Sequence, residues 1–176
     1  MNKLSKTREE KLCFSLLIFL VLIKIVLIHP TFSDDIFYFN VAKSILSGLT
    51  PYKDFFFAHP PLHEYLLTLL FALFGPSIFI GKLLATLSSL ASALLLYYIS
   101  KKSFEREREE TAFYSVLFFL FSPIFLAFSS IGYGMWETML LLLLSIYLYL
   151  KNKIFLSSTF FSLSVFTRYF SLLYLP

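Results

Sequence analysis

The chain has 176 residues, of which 58% are hydrophobic, 20% aromatic and only 15% charged, with 23 Phe, 11 Tyr and a single Cys. Soluble domains average about 45–50% apolar and about 25% charged residues, and a core of this length cannot hide so much apolar surface. A soluble domain, a disordered chain and a disulfide scaffold are thereby excluded. The net charge of +4 is small and is split into short clusters between apolar runs, which excludes nucleic acid as a partner and makes the lipid bilayer the solvent.

Residues 1–11 are polar, with Lys3, Lys6, Arg8 and Lys11, and residues 12–28 are apolar except for Lys24. The run is long for a signal-peptide core and no small-residue cleavage site follows, so it is read as an uncleaved first transmembrane helix. Residues 30–77 form a mixed segment. Within it, SDDIFYFNVAKSILSG (33–48) reads as a capped amphipathic helix over 34–47. Ser33 would cap it, Asp34 and Asp35 suit its positive end, and Gly48 would close it. Asn40, Lys43, Ser44 and Ser47 share one face. Phe37, Val41 and Ile45 share the other with Tyr38, Ala42 and Leu46, so the helix is expected to lie flat on the outer leaflet.

The next apolar stretch, 62–74, rises only about 20 Å as a helix, short of the roughly 30 Å hydrocarbon core. Charge agrees with length. If 62–74 does not span, the N-terminal lysines, the 101–108 cluster and the Lys151–Lys153 pair all fall on one side, as the preference of basic residues for the cytoplasmic side requires. It is therefore read as a second interfacial or re-entrant helix on the outside. Four further spans follow at 78–100, 111–128, 135–150 and 154–174. The expected architecture is an all-α polytopic membrane protein with about five transmembrane helices in the cell membrane, its N-terminus cytoplasmic.

Chemistry-bearing residues gather on the outer side. Glu137 stands at the outer start of the 135–150 span beside Trp136, and Arg168 lies late in the 154–174 span. Counted along a continuous helix Arg168 is about 21 Å from the inner end, in the outer third of the bilayer. An ionisable residue at that depth marks a functional site by default. The competing reading is that Arg168 snorkels to the interface, and Lys24 and Lys82 are read as snorkelling lysines. His59 and His63 flank Pro60-Pro61. The prolines break the helical face that a shared metal ion would need, which leaves His59 a polar role in a site. No phosphate-cradling glycine loop, nucleophile elbow or zinc signature occurs.

Several short motifs stand in order. Asp34-Asp35-Ile36-Phe37-Tyr38 follows the first span, then Gly48-Leu49-Thr50-Pro51-Tyr52-Lys53-Asp54 and His59-Pro60-Pro61-Leu62. Ser122-Pro123, Gly134-Met135-Trp136-Glu137 and Thr167-Arg168-Tyr169 come after, closing on Leu175-Pro176. In this order and spacing the chain resembles the C-type membrane glycosyltransferases: the protein O-mannosyltransferases, the lipid A aminoarabinose transferases and related polyprenyl-phosphate-dependent proteins. It departs from them in carrying Glu137 where Asp is commoner and Arg168 where Lys is commoner, and both departures keep the charge. Such enzymes have eight or more spans, so the chain is expected to be an N-terminal portion, truncated or split, with a second membrane chain supplying the missing helices.

The resemblance implies a polyprenyl-phosphate sugar as donor, with transfer of a hexose such as mannose on the extracytoplasmic face. It implies catalytic roles for Asp34 and Asp35 and donor- or acceptor-binding roles for Tyr38, His59, Glu137 and Arg168. In an inverting mechanism Asp34 takes the acceptor proton, while Arg168 stabilises the departing phosphate. No cofactor is required by the residues. A divalent metal between the carboxylates is compatible with the resemblance and left undecided. The alternative is a non-catalytic multi-pass subunit or degenerate fragment of such an enzyme.

Overall fold

The computed structural model describes residues 34–104 and 108–174, the side chains at 108, 109 and 174 excepted, together with scattered helical positions between 11 and 23. The expected Ser33 cap and Lys24 lie outside the described residues. Those residues form helices α1 (Asp35–Leu46), α2 (Leu62–Phe74), α3 (Ile78–Ser103), α4 (Arg108–Leu120), α5 (Pro123–Phe128), α6 (Met135–Leu150) and α7 (Ile154–Thr167). A short 3₁₀ helix, η1 (Tyr169–Tyr174), follows. The all-α expectation agrees with this architecture.

Helix length does not reproduce five spans. Among the described residues only α3, with 26 residues, is long and apolar enough to cross a bilayer. The stretch expected as one span over 111–128 is instead α4 and α5, broken at Phe121-Ser122. Pro123 is the cause, because it lacks an N–H and forces the preceding residue out of helical geometry. Ser122 is extended (ψ 142°) and caps α5 by accepting from the Phe125 N–H at 3.2 Å. The last expected span also stops early. α7 ends at Thr167, and Arg168 is extended, with φ −151° and ψ 131°.

α3 is the central helix, packed between α4 and α6, with α7 on the far side of α6. Its buried residues include many small ones, among them Ala85, Ser88, Ser89, Ser92 and Ala93. Small residues let helix backbones approach closely where no hydrophobic effect drives association. The stripe Ala112, Val116 and Leu120 of α4 packs on this face, and Phe125 and Trp136 seal the corner with rings 5.6 Å apart. The Trp136 indole N–H donates to the Phe128 carbonyl at 2.6 Å. α6 and α7 form a hairpin fastened by hydroxyls. Ser145 Oγ donates to the Ser157 carbonyl and Ser157 Oγ to the Ser145 carbonyl, both at 2.9 Å. Lys102 closes the same end by donating to the Leu150 carbonyl.

α1 packs on α2 through Phe39, Ala42, Leu67 and Phe71. Its buried face is Asp35, Tyr38, Phe39, Val41 and Ala42, whereas Phe37 and Leu46 are exposed. The apolar face expected from the sequence thus shifts towards Phe39, because α1 buries its stripe against protein. A Schellman turn ends α1. Leu49 N–H donates to Ser44 and Gly48 N–H to Ile45, with Gly48 at φ +96°. The Phe39 ring fills a notch made by two glycines. A Cβ at Gly81 would stand 2.3 Å from that ring, and one at Gly132 would stand 2.9 Å from it.

Candidate functional site

The site assembles around Arg168. Because α7 stops at Thr167, the Arg168 backbone is free to turn its side chain back across the helix ends. The guanidinium donates to the Tyr133 carbonyl and lies over the Tyr38 ring, 4.5 Å from its centroid. Only 7% of the residue is exposed. A desolvated guanidinium on an aromatic face gains cation–π attraction, which fixes its plane.

The corner before α6 is shaped by Gly134, at φ +85°. A Cβ there would meet His63 Cγ at 3.0 Å and Arg168 Nε at 3.2 Å. The absent side chain lets His63 and Arg168 close around the corner. His63 and Glu64 stand in the first turn of α2, delivered by Pro60-Pro61, and Glu137 stands in the first turn of α6. His63, Glu64 and Glu137 are all buried. His63 Nδ1 is 3.7 Å from Glu137 Oε1. Tyr38 links α1 to the group, with its ring centroid 6.0 Å from that of His63 and 5.8 Å from that of His59.

Electrostatics make this cluster unusual. Burial, with Arg168 adding to it, pushes His63 down to about 3. The imidazole is therefore neutral, and its contact with Glu137 is polar rather than ionic. Burial pushes Glu64 up to about 7. His59 is lowered by burial and then by Arg168. Both carboxylate oxygens of Glu64 and of Glu137, and both ring nitrogens of His63, have no hydrogen-bond partner among the described residues. The backbone of Gly132 approaches the imidazole without meeting hydrogen-bond geometry. Buried polar groups are normally satisfied, so three such side chains around one guanidinium form a polar centre equipped to engage more than the chain offers it.

The structure brings Tyr38, His59, Glu137 and Arg168 together. Asp34 lies at the edge, exposed, at the N-cap of α1 without a side-chain capping bond. It is close enough to Tyr133 to act on its hydroxyl electrostatically. Asp35 is not part of the centre. It is fully buried and pairs with Lys82 of α3 at 3.1 Å. Lys82 is 3% exposed, which overturns the snorkelling reading, since an amine committed to a buried carboxylate does not reach for water. Arg168 likewise does not ride a continuous helix but stands at its break. A metal among the carboxylates finds no donor set, as no group of three or more His, Cys, Asp or Glu is placed to hold an ion among the described residues. Sequence reasoning missed Glu64 and the place of His63. The signal was an acid directly after His-Pro-Pro-Leu-His, inside an otherwise apolar stretch.

A family model described as dolichyl-phosphate-mannose-protein mannosyltransferase matches residues 58–176. That range contains His59, His63, Glu64, Glu137 and Arg168. The chain is also 28% identical over 152 residues to GPI mannosyltransferase 1 of Dictyostelium discoideum. The match covers 84% of this chain and 33% of the relative, so the chain spans about a third of the length of that curated relative. No solved structure matches the chain.

Proposed function

The chain belongs to the dolichyl-phosphate-mannose-protein mannosyltransferase family, and from that premise we propose that it takes part in transferring a mannosyl-type hexose from a polyprenyl-phosphate donor to an acceptor on the extracytoplasmic face of the membrane. The observation that carries this reading is the environment of Arg168. One buried guanidinium, oriented by Tyr38, draws His59, His63, Glu64 and Glu137 around it from three further parts of the chain.

Each group has a role in that reaction. Arg168 binds the lipid phosphate with paired hydrogen bonds and stabilises it as it leaves. To do so it exchanges the Tyr133 carbonyl for phosphate oxygens. Asp34, exposed at the edge, accepts the proton of the acceptor hydroxyl as that oxygen attacks the anomeric carbon from the face opposite the phosphate. The C–O bond to phosphate breaks as the new glycosidic bond forms, so the configuration inverts. Glu137 and neutral His63 orient donor hydroxyls, and Asp35 holds α1 to α3 through Lys82. The topology supporting this chemistry has a cytoplasmic N-terminus, α1 and α2 on the outer side, and spans at 12–28, 78–100, 111–128, 135–150 and 154–174, the third broken at Phe121-Ser122 and the fifth at Arg168.

The test uses radiolabelled polyprenyl-phosphate mannose. In membranes containing the full chain, Asp34→Asn is expected to lower transfer by about 10²–10⁴-fold with donor binding retained, and Arg168→Gln to weaken donor binding itself. Wild-type transfer in Asp34→Asn, or undiminished donor binding in Arg168→Gln, overturns the assignment. A non-catalytic subunit binds donor without transfer already with the unsubstituted chain.

A further inference from the structure

Helices α1 and α2 pack on each other through Phe39, Ala42, Leu67 and Phe71, yet the faces they turn outward differ in kind. α1 is exposed at Asn40, Lys43 and Ser47 as well as at Phe37 and Leu46. α2 is exposed at Tyr65, Leu69, Ala72, Leu73 and Phe74, with Leu73 66% and Phe74 68% open. The Tyr65 phenol is the one polar group among these side chains. The histidine and the acid of α2, His63 and Glu64, are fully buried. Thr68 turns its hydroxyl inward, to the Glu64 carbonyl at 2.7 Å and the Ala42 carbonyl at 3.2 Å. α2 is therefore inverted relative to a helix in water: its polar groups are inside and its bulky apolar groups outside.

That inversion identifies the medium. A helix resting on a membrane shows a charged face to water, and a helix on a soluble domain carries polar residues opposite its core stripe. α2 does neither. Its outward stripe also differs from the faces by which helices of this chain meet one another. The buried residues of α3 include Ala85, Ser88, Ser89, Ser92 and Ala93, and α6 joins α7 through Ser145 and Ser157. Those are the small and hydroxylated residues that helix pairing inside a bilayer uses. The α2 stripe is large and aliphatic or aromatic, with only Ala72 small, a surface that acyl chains solvate. It continues past the 75–77 turn into Ile78 and Phe79, exposed at the start of α3, the helix long and apolar enough to span.

We infer that the boundary of the outer leaflet passes between α1 and α2, so that α1 lies in water and lipid acyl chains cover Tyr65, Leu69, Leu73 and Phe74. This rests on the proposed placing of both helices on the outer side. It differs from the expectation that α1 itself lies flat on lipid, because α2 occupies the apolar face that α1 would use. The consequence for the Arg168 centre is one of depth. Tyr38 comes from α1 and His63 from α2, with ring centroids 6.0 Å apart, so the centre stands at the level where lipid phosphates meet acyl chains.

Nitroxide labels on single cysteines test this in the full chain, carrying Cys13→Ser and reconstituted in lipid nanodiscs. The labels replace Asn40, Leu69 and Leu73 in turn, all exposed, so no packed side chain is displaced. Collision with dissolved oxygen, which concentrates in hydrocarbon, is compared with collision with a nickel chelate, which stays in water. The ratio of oxygen to chelate collisions is expected to be several-fold higher at Leu69→Cys and Leu73→Cys than at Asn40→Cys. Equal ratios at the three sites overturn the inference, because no boundary then separates the helices. Labels at Leu69 and Leu73 that are immobilised and shielded from both reagents also overturn it, because protein then covers the stripe. Polyprenyl phosphate binding is measured on the same samples. The contrast without that binding supports the boundary and overturns the donor reading, and binding without the contrast overturns the boundary alone.

Discussion

Asp35 of α1 and Glu64 of α2 are both fully buried carboxylates on neighbouring helices, yet their surroundings differ in kind. Asp35 meets the Lys82 amine at 3.1 Å, charge against charge. Glu64 meets no hydrogen-bond partner among the described residues, shares the field of Arg168 with Glu137, and is pushed by burial up to about 7. The first arrangement fastens α1 to α3. The second costs the fold stability, since desolvating an unpaired polar group is unfavourable. Such costs are tolerated where they serve chemistry. Side by side, the two acids separate a carboxylate fastened by a cation from one without a hydrogen-bond partner among the described residues, although both stand in apolar sequence.

The comparison breaks most sharply at Lys82. Lys82→Met removes the cation facing the buried Asp35 carboxylate, and is expected to destabilise the chain by about 3–5 kcal/mol. The double variant Asp35→Leu with Lys82→Met is expected to recover most of that loss. Thermal unfolding in nanodiscs measures both. A small effect of Lys82→Met would mean that the pair does not fasten α1 to α3.

A smaller and pH-dependent effect is expected at Glu64. Its folded value is raised from 4.5 to about 7, so the folded state prefers the protonated acid. That contribution is fully present below pH 4.5 and is lost as pH rises through 7. Glu64→Gln keeps the neutral form at every pH. It should unfold at the wild-type temperature near pH 4.5 and about 3 °C or more above it at pH 8. Equal unfolding temperatures at both pH values would show Glu64 to be paired like Asp35. His63 works in the opposite direction, gaining stability as pH rises from 3 to 6.5, which is why the comparison is made between variant and wild type at each pH.

The smallest effect is expected at the opposite end of the molecule. Ser145→Ala removes one arm of the reciprocal Ser145–Ser157 clamp and should cost about 0.6 kcal/mol, the typical value for hydroxyl bonds between membrane helices. Neutral fastening is then far weaker per contact than the Asp35–Lys82 pair, and a loss of several kcal/mol would erase that distinction.

Periodicity and punctuation made much of this legible. The α2 run begins at Leu62 and ends at Phe74 as its apolar pattern suggests, and Gly48 closes α1 by the chemistry of the backbone alone, whereas Pro123 breaks a stretch that hydropathy reads as one span. The nearness of Glu137 and Arg168 was also within reach, because charged residues in apolar runs are few, while Tyr38 and His59 were pointed to by the motifs that carry the family resemblance. What was not legible needed the third dimension. Asp34 and Asp35 are adjacent in sequence, and only the turn of α1 decides that one faces solvent and the other faces Lys82. The break at Arg168 carries no proline or glycine to announce it. Glu64 was hidden because an acid in a short apolar stretch reads equally well as a boundary residue until Arg168 and Glu137 are seen near it.

Phe39 and Tyr38 are sequence neighbours with different tasks, and this gives the glycine notch a wider consequence. Phe39 is seated where Gly81 and Gly132 have no side chains, while Tyr38 carries the guanidinium of Arg168 on its face. The rotation of α1, and with it the height of the Tyr38 ring, is gauged by volume in that notch. A single methyl group added at Gly81, with no charge and no contact to the polar centre, would tilt the aromatic seat of Arg168. Substitutions of glycine for alanine or back are therefore a mechanical control on the Arg168 centre, acting through steric displacement where titration has no influence.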